Sequence, residues 1–261
     1  ASEFWMVGIG GRISRMTRRT TSLPAPVDAR AEWSSYFAFV KRPALPERAA
    51  APGVPSLMAL QRMLGLDLIF MMVLISLAGL AVAAGVDLPE TALAGLEIDL
   101  QLALTVALIA PLAEEILFRG WLSGRPGHVL AMLVMAIGGL AVAMAMANRD
   151  EGVYFAAAAT TAILAVAAIV LLRKRPTMGW FRSIFPLLFW LSTAAFASIH
   201  LLNYQEGSLG VLLPLVLPQF LLGTILAYMR VNYGLWSCVL LHALHNGLIL
   251  GAVVLAESVF A

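Results

Sequence analysis

From about residue 56 onward the chain is a series of long apolar stretches separated by short polar breaks. Stretches close to the ~20 residues that cross a bilayer predict seven helices, over 64–86, 100–122, 127–147, 153–173, 187–207, 210–230 and 235–257. The pattern therefore predicts an all-α fold, a polytopic membrane helical bundle of about seven transmembrane helices in one domain spanning residues 56–261.

Residues 1–55 differ, with Arg12, Arg15, Arg18, Arg19, Arg30, Lys41, Arg42 and Arg48 set among prolines and the aromatics Trp5, Trp33, Tyr36, Phe37 and Phe39. Basic residues interleaved with aromatics suit an anionic headgroup surface, where each cation is worth about 1 kcal/mol. A cytoplasmic or interfacial segment is expected, with a partly disordered linker as the alternative. No cleavable leader is expected, because the first long apolar run begins only after Pro55.

Composition agrees with a lipid-facing chain, since 61% of residues are hydrophobic and 12% charged, against roughly a quarter charged in soluble domains. No nucleic-acid partner is expected. Cys238 is the single cysteine, so neither an intrachain disulfide nor a cysteine metal cluster can form. Placing Arg125, Arg173-Lys174-Arg175, Arg182 and Arg230 inside puts Asp87, Glu90, Glu97, Asp99, Glu206 and Glu257 outside, with Arg149 the exception. That asymmetry predicts a cytoplasmic N-terminus and an external C-terminus, in a bacterial inner or plasma membrane.

A charge near the bilayer centre costs at least about 2.5–3.5 kcal/mol, so each ionisable residue within a span needs a reason. The second predicted span holds Glu114, Glu115 and Arg119, the fifth holds His200 with Asn203, and the seventh holds His242, His245 and Asn246. Arg62 and Asp67 lie near the start of the first span and are read as structural. Glu115 and Arg119 are helical neighbours four apart, as are His242 and Asn246, whereas Glu114 is turned about 100° from Glu115. The third and fourth spans carry no central charge; their small residues, such as Gly138-Gly139 and Ala156–Ala162, predict a closely packed hairpin. Pro176–Pro186 reads as interfacial, with the fifth helix starting at Pro186 or Leu187 to bring His200 toward mid-membrane.

If three such helices converge, they enclose a hydrated cavity. A carboxylate and an imidazole there can orient a water and take its proton, while a second imidazole and a carboxamide can donate to an oxyanion. The order Glu114-Glu115-x-x-x-Arg119, Phe196-x-x-x-His200, His242-x-x-x-Asn246 over roughly residues 100–250 closely resembles the three signature motifs of the CPBP family. That family includes the type II CAAX prenyl endopeptidases and the bacterial Abi proteins.

The resemblance implies an intramembrane endopeptidase whose Glu114 and His200 activate water and whose His242 and Asn246 form the oxyanion site. Glu115 and Arg119 would shape and charge-balance the pocket, and Phe196 would pack beside it. The implied partners are a membrane-associated or lipid-modified peptide or protein substrate, the bilayer, and as a further option another membrane protein. The implied site opens toward the cytoplasmic half of the membrane.

Other readings compete. Glu114, His200 and His242 could ligate zinc, although no HExxH string is present and Arg119 would oppose a cation, so no cofactor is expected and zinc is the alternative. Rhomboid-type serine chemistry does not fit Gly120-Trp121-Leu122-Ser123-Gly124, and no paired broken helices suggest a transporter. A non-catalytic membrane scaffold or partner-binding member that keeps the motifs is the rival from another class. For His245 and Asn203, interhelical hydrogen bonding is the favoured role.

Overall fold

The computed structural model describes residues 28–91 and 96–260. Trp5, Arg12, Arg15, Arg18, Arg19 and the side chain of Glu257 lie outside what is described. Among the described residues every named element is helical, which bears out the all-α expectation, and six helices are long and apolar enough to span a membrane, with a bent pair as a seventh candidate.

Within the basic segment, α1 (Ala29–Lys41) forms because Asp28 caps it, its carboxylate accepting from Ala31 N–H at 2.8 Å. Its inner face, with Glu32 and Tyr36 buried, lies across α2 (Val54–Ala83). That helix begins about ten residues before the predicted 64, since Pro55 suits a first turn. Its first turns, including Ala59, Leu60 and Met63, are buried in the core cluster that Tyr36 also joins.

The next span, Leu100–Ser123, is not one regular helix. α3 (Leu100–Leu104), capped by Asp99 on Leu102 N–H at 2.7 Å, passes through a π turn (Thr105–Ile109) into α4 (Ala110–Arg119). α5 (Pro126–Ala147) and α6 (Glu151–Leu171) form the expected hairpin. A Cβ on Gly138 would overlap the Thr161 side chain, whereas one on Gly139 would meet nothing. Gly138→Ala is therefore expected to lower the thermal midpoint in detergent, with overpacking costing about 1–3 kcal/mol, while Gly139→Ala leaves it unchanged or raised; equal effects would contradict the close approach.

The fifth span corrects the sequence reading. α7 (Gly179–Ile199) starts some seven residues before Pro186, which lies inside the helix, so 179–186 are its first two turns and not a separate interfacial stretch. Two interactions hold that early start. Phe181, Phe185 and Phe189 are buried in one cluster against Ala227 and Val231, and the Arg182 guanidinium donates to Leu45 O at 2.9 Å. His200 accordingly sits past the end of α7, opening a short 3-10 turn that includes Asn203.

α8 (Leu209–Leu215) and α9 (Leu217–Tyr233) meet at a 42° bend at Val216, flanked by Pro214 and Pro218. α9 is buried from Leu222 to Val231 and packs against α1, α2, α7 and α10 (Leu235–Phe260). Gly234, at φ +99°, makes the α9–α10 turn. Large apolar side chains such as Leu77, Ile137 and Leu171 cover the outer surface, as a lipid solvent requires.

Candidate functional site

The site forms where α4, α7 and α10 meet beside α9. On α4, Glu115 and Arg119 point inward, both fully buried, with Arg119 Nη1 donating to Glu115 Oε1 at 2.7 Å. From α10, His242 reaches between the two glutamates, its Nδ1 3.0 Å from Glu115 Oε1 and its Nε2 3.8 Å from Glu114 Oε2. Because a carboxylate only accepts, Nδ1 carries a proton and donates. The side chain of Glu114 remains about a quarter exposed while that of Glu115 is wholly buried, so the two adjacent carboxylates have different surroundings: one ion-paired, one open.

Phe196 joins the third helix to this group. Its ring lies under the Arg119 guanidinium at 3.8 Å and meets His242 and His200 edge-on, at centroid distances of 5.7 and 4.8 Å. Ser192 Oγ donates to Phe118 O at 2.6 Å, so α7 and α4 are pinned one helical turn from the Phe196–Arg119 contact. His200, beyond the end of α7, leans back toward its helix, its Nδ1 donating to Phe196 O at 2.7 Å. In the neutral ring that bond assigns the proton to Nδ1 and leaves Nε2 as the basic nitrogen.

Asn246 is engaged on the same face of α10, donating from Nδ2 to Val106 O at 2.8 Å. Val106 lies in the π turn, where the irregular ladder exposes carbonyls that a side chain can take. One amide N–H and the amide oxygen remain for other partners. Glu114, Glu115, Arg119, Phe196, His200 and His242 are linked through these contacts; Asn246 is held against the segment that leads into α4.

Several residues that support the site carried little signal in the sequence. Arg230 reads there as one more inside cation, yet its buried guanidinium donates to Arg119 O and Gly120 O, each at 2.8 Å, capping the end of α4. Gly223 lies against Arg119, Phe196 and Thr193; a lone glycine within an apolar span gives no warning of that. Tyr36 of α1 joins α9 through Thr224 at 2.6 Å, and since the Thr224 hydroxyl donates to Leu221 O, Tyr36 is the donor. Burial pushes its phenol up to about 12, so it stays neutral and able to donate. His245 and Asp67 form a pair at 2.6 Å, as interhelical hydrogen bonding would have it, while Asn203 is exposed.

Glu115 Oε2 and Arg119 Nε and Nη2 are buried with no hydrogen-bond partner among the described residues. Among the described residues no three His, Cys, Asp or Glu side chains group as a metal ion would need, Glu114, His200 and His242 included.

The family model described as type II CAAX prenyl endopeptidase Rce1-like matches residues 97–248. No curated protein and no solved structure matches the chain.

Proposed function

We propose a function from one premise: the chain belongs to the Rce1-like type II CAAX prenyl endopeptidase family. That is a protease family, and several apolar helices fit an integral membrane protein, so its general setting is peptide hydrolysis at a membrane. Beyond that, our reading is an intramembrane endopeptidase that cuts a membrane-associated or lipid-modified peptide with water as the nucleophile.

The observation that carries the reading is the placing of His242 between Glu114 and Glu115, with Arg119 and Phe196 closing one side. Glu114, the more open carboxylate, takes a proton from water as the oxygen attacks the scissile carbonyl carbon. His200 shares that task through Nε2, the nitrogen left basic by its bond to Phe196 O. The carbonyl oxygen becomes an oxyanion, for which a doubly protonated His242 offers Nε2–H and Asn246 its second amide N–H. Glu115, with Arg119 and His242 both on Oε1, holds the imidazole in place and balances its charge. The proton taken from water is then delivered to the departing amine, so no serine or cysteine enters the reaction.

Purified chain in proteoliposomes, incubated with a series of lipidated C-terminal peptides and analysed by mass spectrometry, tests this. Wild type is expected to release a product at a defined bond and Glu114→Ala to release about 10²–10⁴-fold less, with equal thermal midpoints. Wild type that cuts nothing, yet holds a membrane partner equally well after Glu114→Ala, would establish a scaffold instead.

A further inference from the structure

The pair Asp67–His245 lies outside the machinery described above, and its acidic half comes from α2, which precedes the matched region 97–248. Asp67 is fully buried, and one of its oxygens, Oδ2, is 2.6 Å from His245 Nδ1; the other has no hydrogen-bond partner among the described residues. A buried carboxylate in an apolar span is expensive and calls for a partner, which His245 of α10 supplies to Asp67 of α2.

Its place on α10 suggests one. Within a little over one turn, His242 meets Glu115 of α4, His245 meets Asp67 of α2, and Asn246 meets Val106 O in the π turn. Positions 242 and 246 share a face, whereas 245 is turned about 60° from 242, so the bond to Asp67 pulls the helix from a different side. Elsewhere α10 is apolar nearly all round, with Leu240, Leu244 and Leu248 exposed and Leu241 buried. Cys238 and Leu241 are buried in the core cluster and seat one side of the helix; directional hydrogen bonds fix its rotation about its own axis more finely than apolar contact does. We infer that Asp67 is a positioning residue: acting through His245, it sets the rotation of α10 and thereby holds His242 between the two glutamates.

This rests on the proposed hydrolysis only for its catalytic consequence; the geometric part stands alone, and the test separates them. The chain has four histidines, so ring ¹⁵N resonances can be assigned by single substitution. In Asp67→Leu/His245→Leu both polar partners go, leaving no buried group unpaired. Retained folding is expected, with a His242 resonance displaced from its wild-type position and kcat lower by at least about tenfold at unchanged KM. Asp67→Asn keeps an acceptor oxygen for His245 and is expected to retain both the His242 resonance and the turnover. A double variant with wild-type His242 resonance overturns the inference, as does one with wild-type turnover in an active enzyme. If wild type cleaves no peptide, the hydrolytic reading fails while the His242 resonance still decides the positioning. Asp67→Ser, read in the same way, decides it if the double variant does not fold.

Discussion

Glu115→Ala is expected to yield little folded protein. Glu115 Oε1 accepts from both Arg119 and His242, and neither Glu115 nor Arg119 touches solvent. Truncation leaves a guanidinium buried without its counter-charge, and breaking such a pair by removing one partner costs about 3–5 kcal/mol, a large part of the roughly 5–15 kcal/mol that keeps a domain folded. The Phe196 face under Arg119 offsets at most about 2 kcal/mol of this. Glu115→Gln keeps an acceptor and is expected to be milder. Thermal unfolding and monodisperse yield in detergent measure both; a Glu115→Ala protein with the wild-type midpoint would mean that the ion pair is not a structural element.

His200→Ala is expected to behave in the opposite way, losing activity but not stability. The ring is only half-buried, lies past the end of α7, and its hydrogen bond returns to its own helix at Phe196 O. Removing it costs an edge contact with Phe196 and a local bond, about 1 kcal/mol. In the proposed mechanism His200 handles the proton of the attacking water, and loss of such a group is expected to lower kcat by about 10²–10⁴-fold. Steady-state cleavage beside a thermal melt checks this; a stability loss as large as that of Glu115→Ala would make His200 a packing residue.

These two residues also mark what could be read without coordinates. The cost of charge in lipid singled out Glu114, Glu115, Arg119, His200 and His242, and helical spacing paired Glu115 with Arg119, which is the bond observed. The bundle was legible because apolar runs of membrane length need no tertiary context. The start of α7 was not: Pro186 signals a first turn in sequence, but buried Phe181 and Phe185 and the Arg182–Leu45 contact outweigh it, and all of these depend on chain far away. The π turn under Asn246 has no periodicity of its own. Arg230 and Gly223 look like an inside cation and a packing glycine, and only the approach of α9 to α4 gives them their roles. Asp67, near the start of an apolar run, reads in sequence as structural; its bond to His245 depends on α2 packing on α10.

One kinetic cycle bears most directly on the proposed sharing of a single water by Glu114 and His200: kcat/KM for wild type, Glu114→Ala, His200→Ala and the double variant on one peptide. Residues that act as a unit are strongly non-additive, so the double variant is expected to be no more than about tenfold worse than the poorer single one. Full multiplication of the two single losses would place Glu114 and His200 in independent roles and contradict the shared pocket.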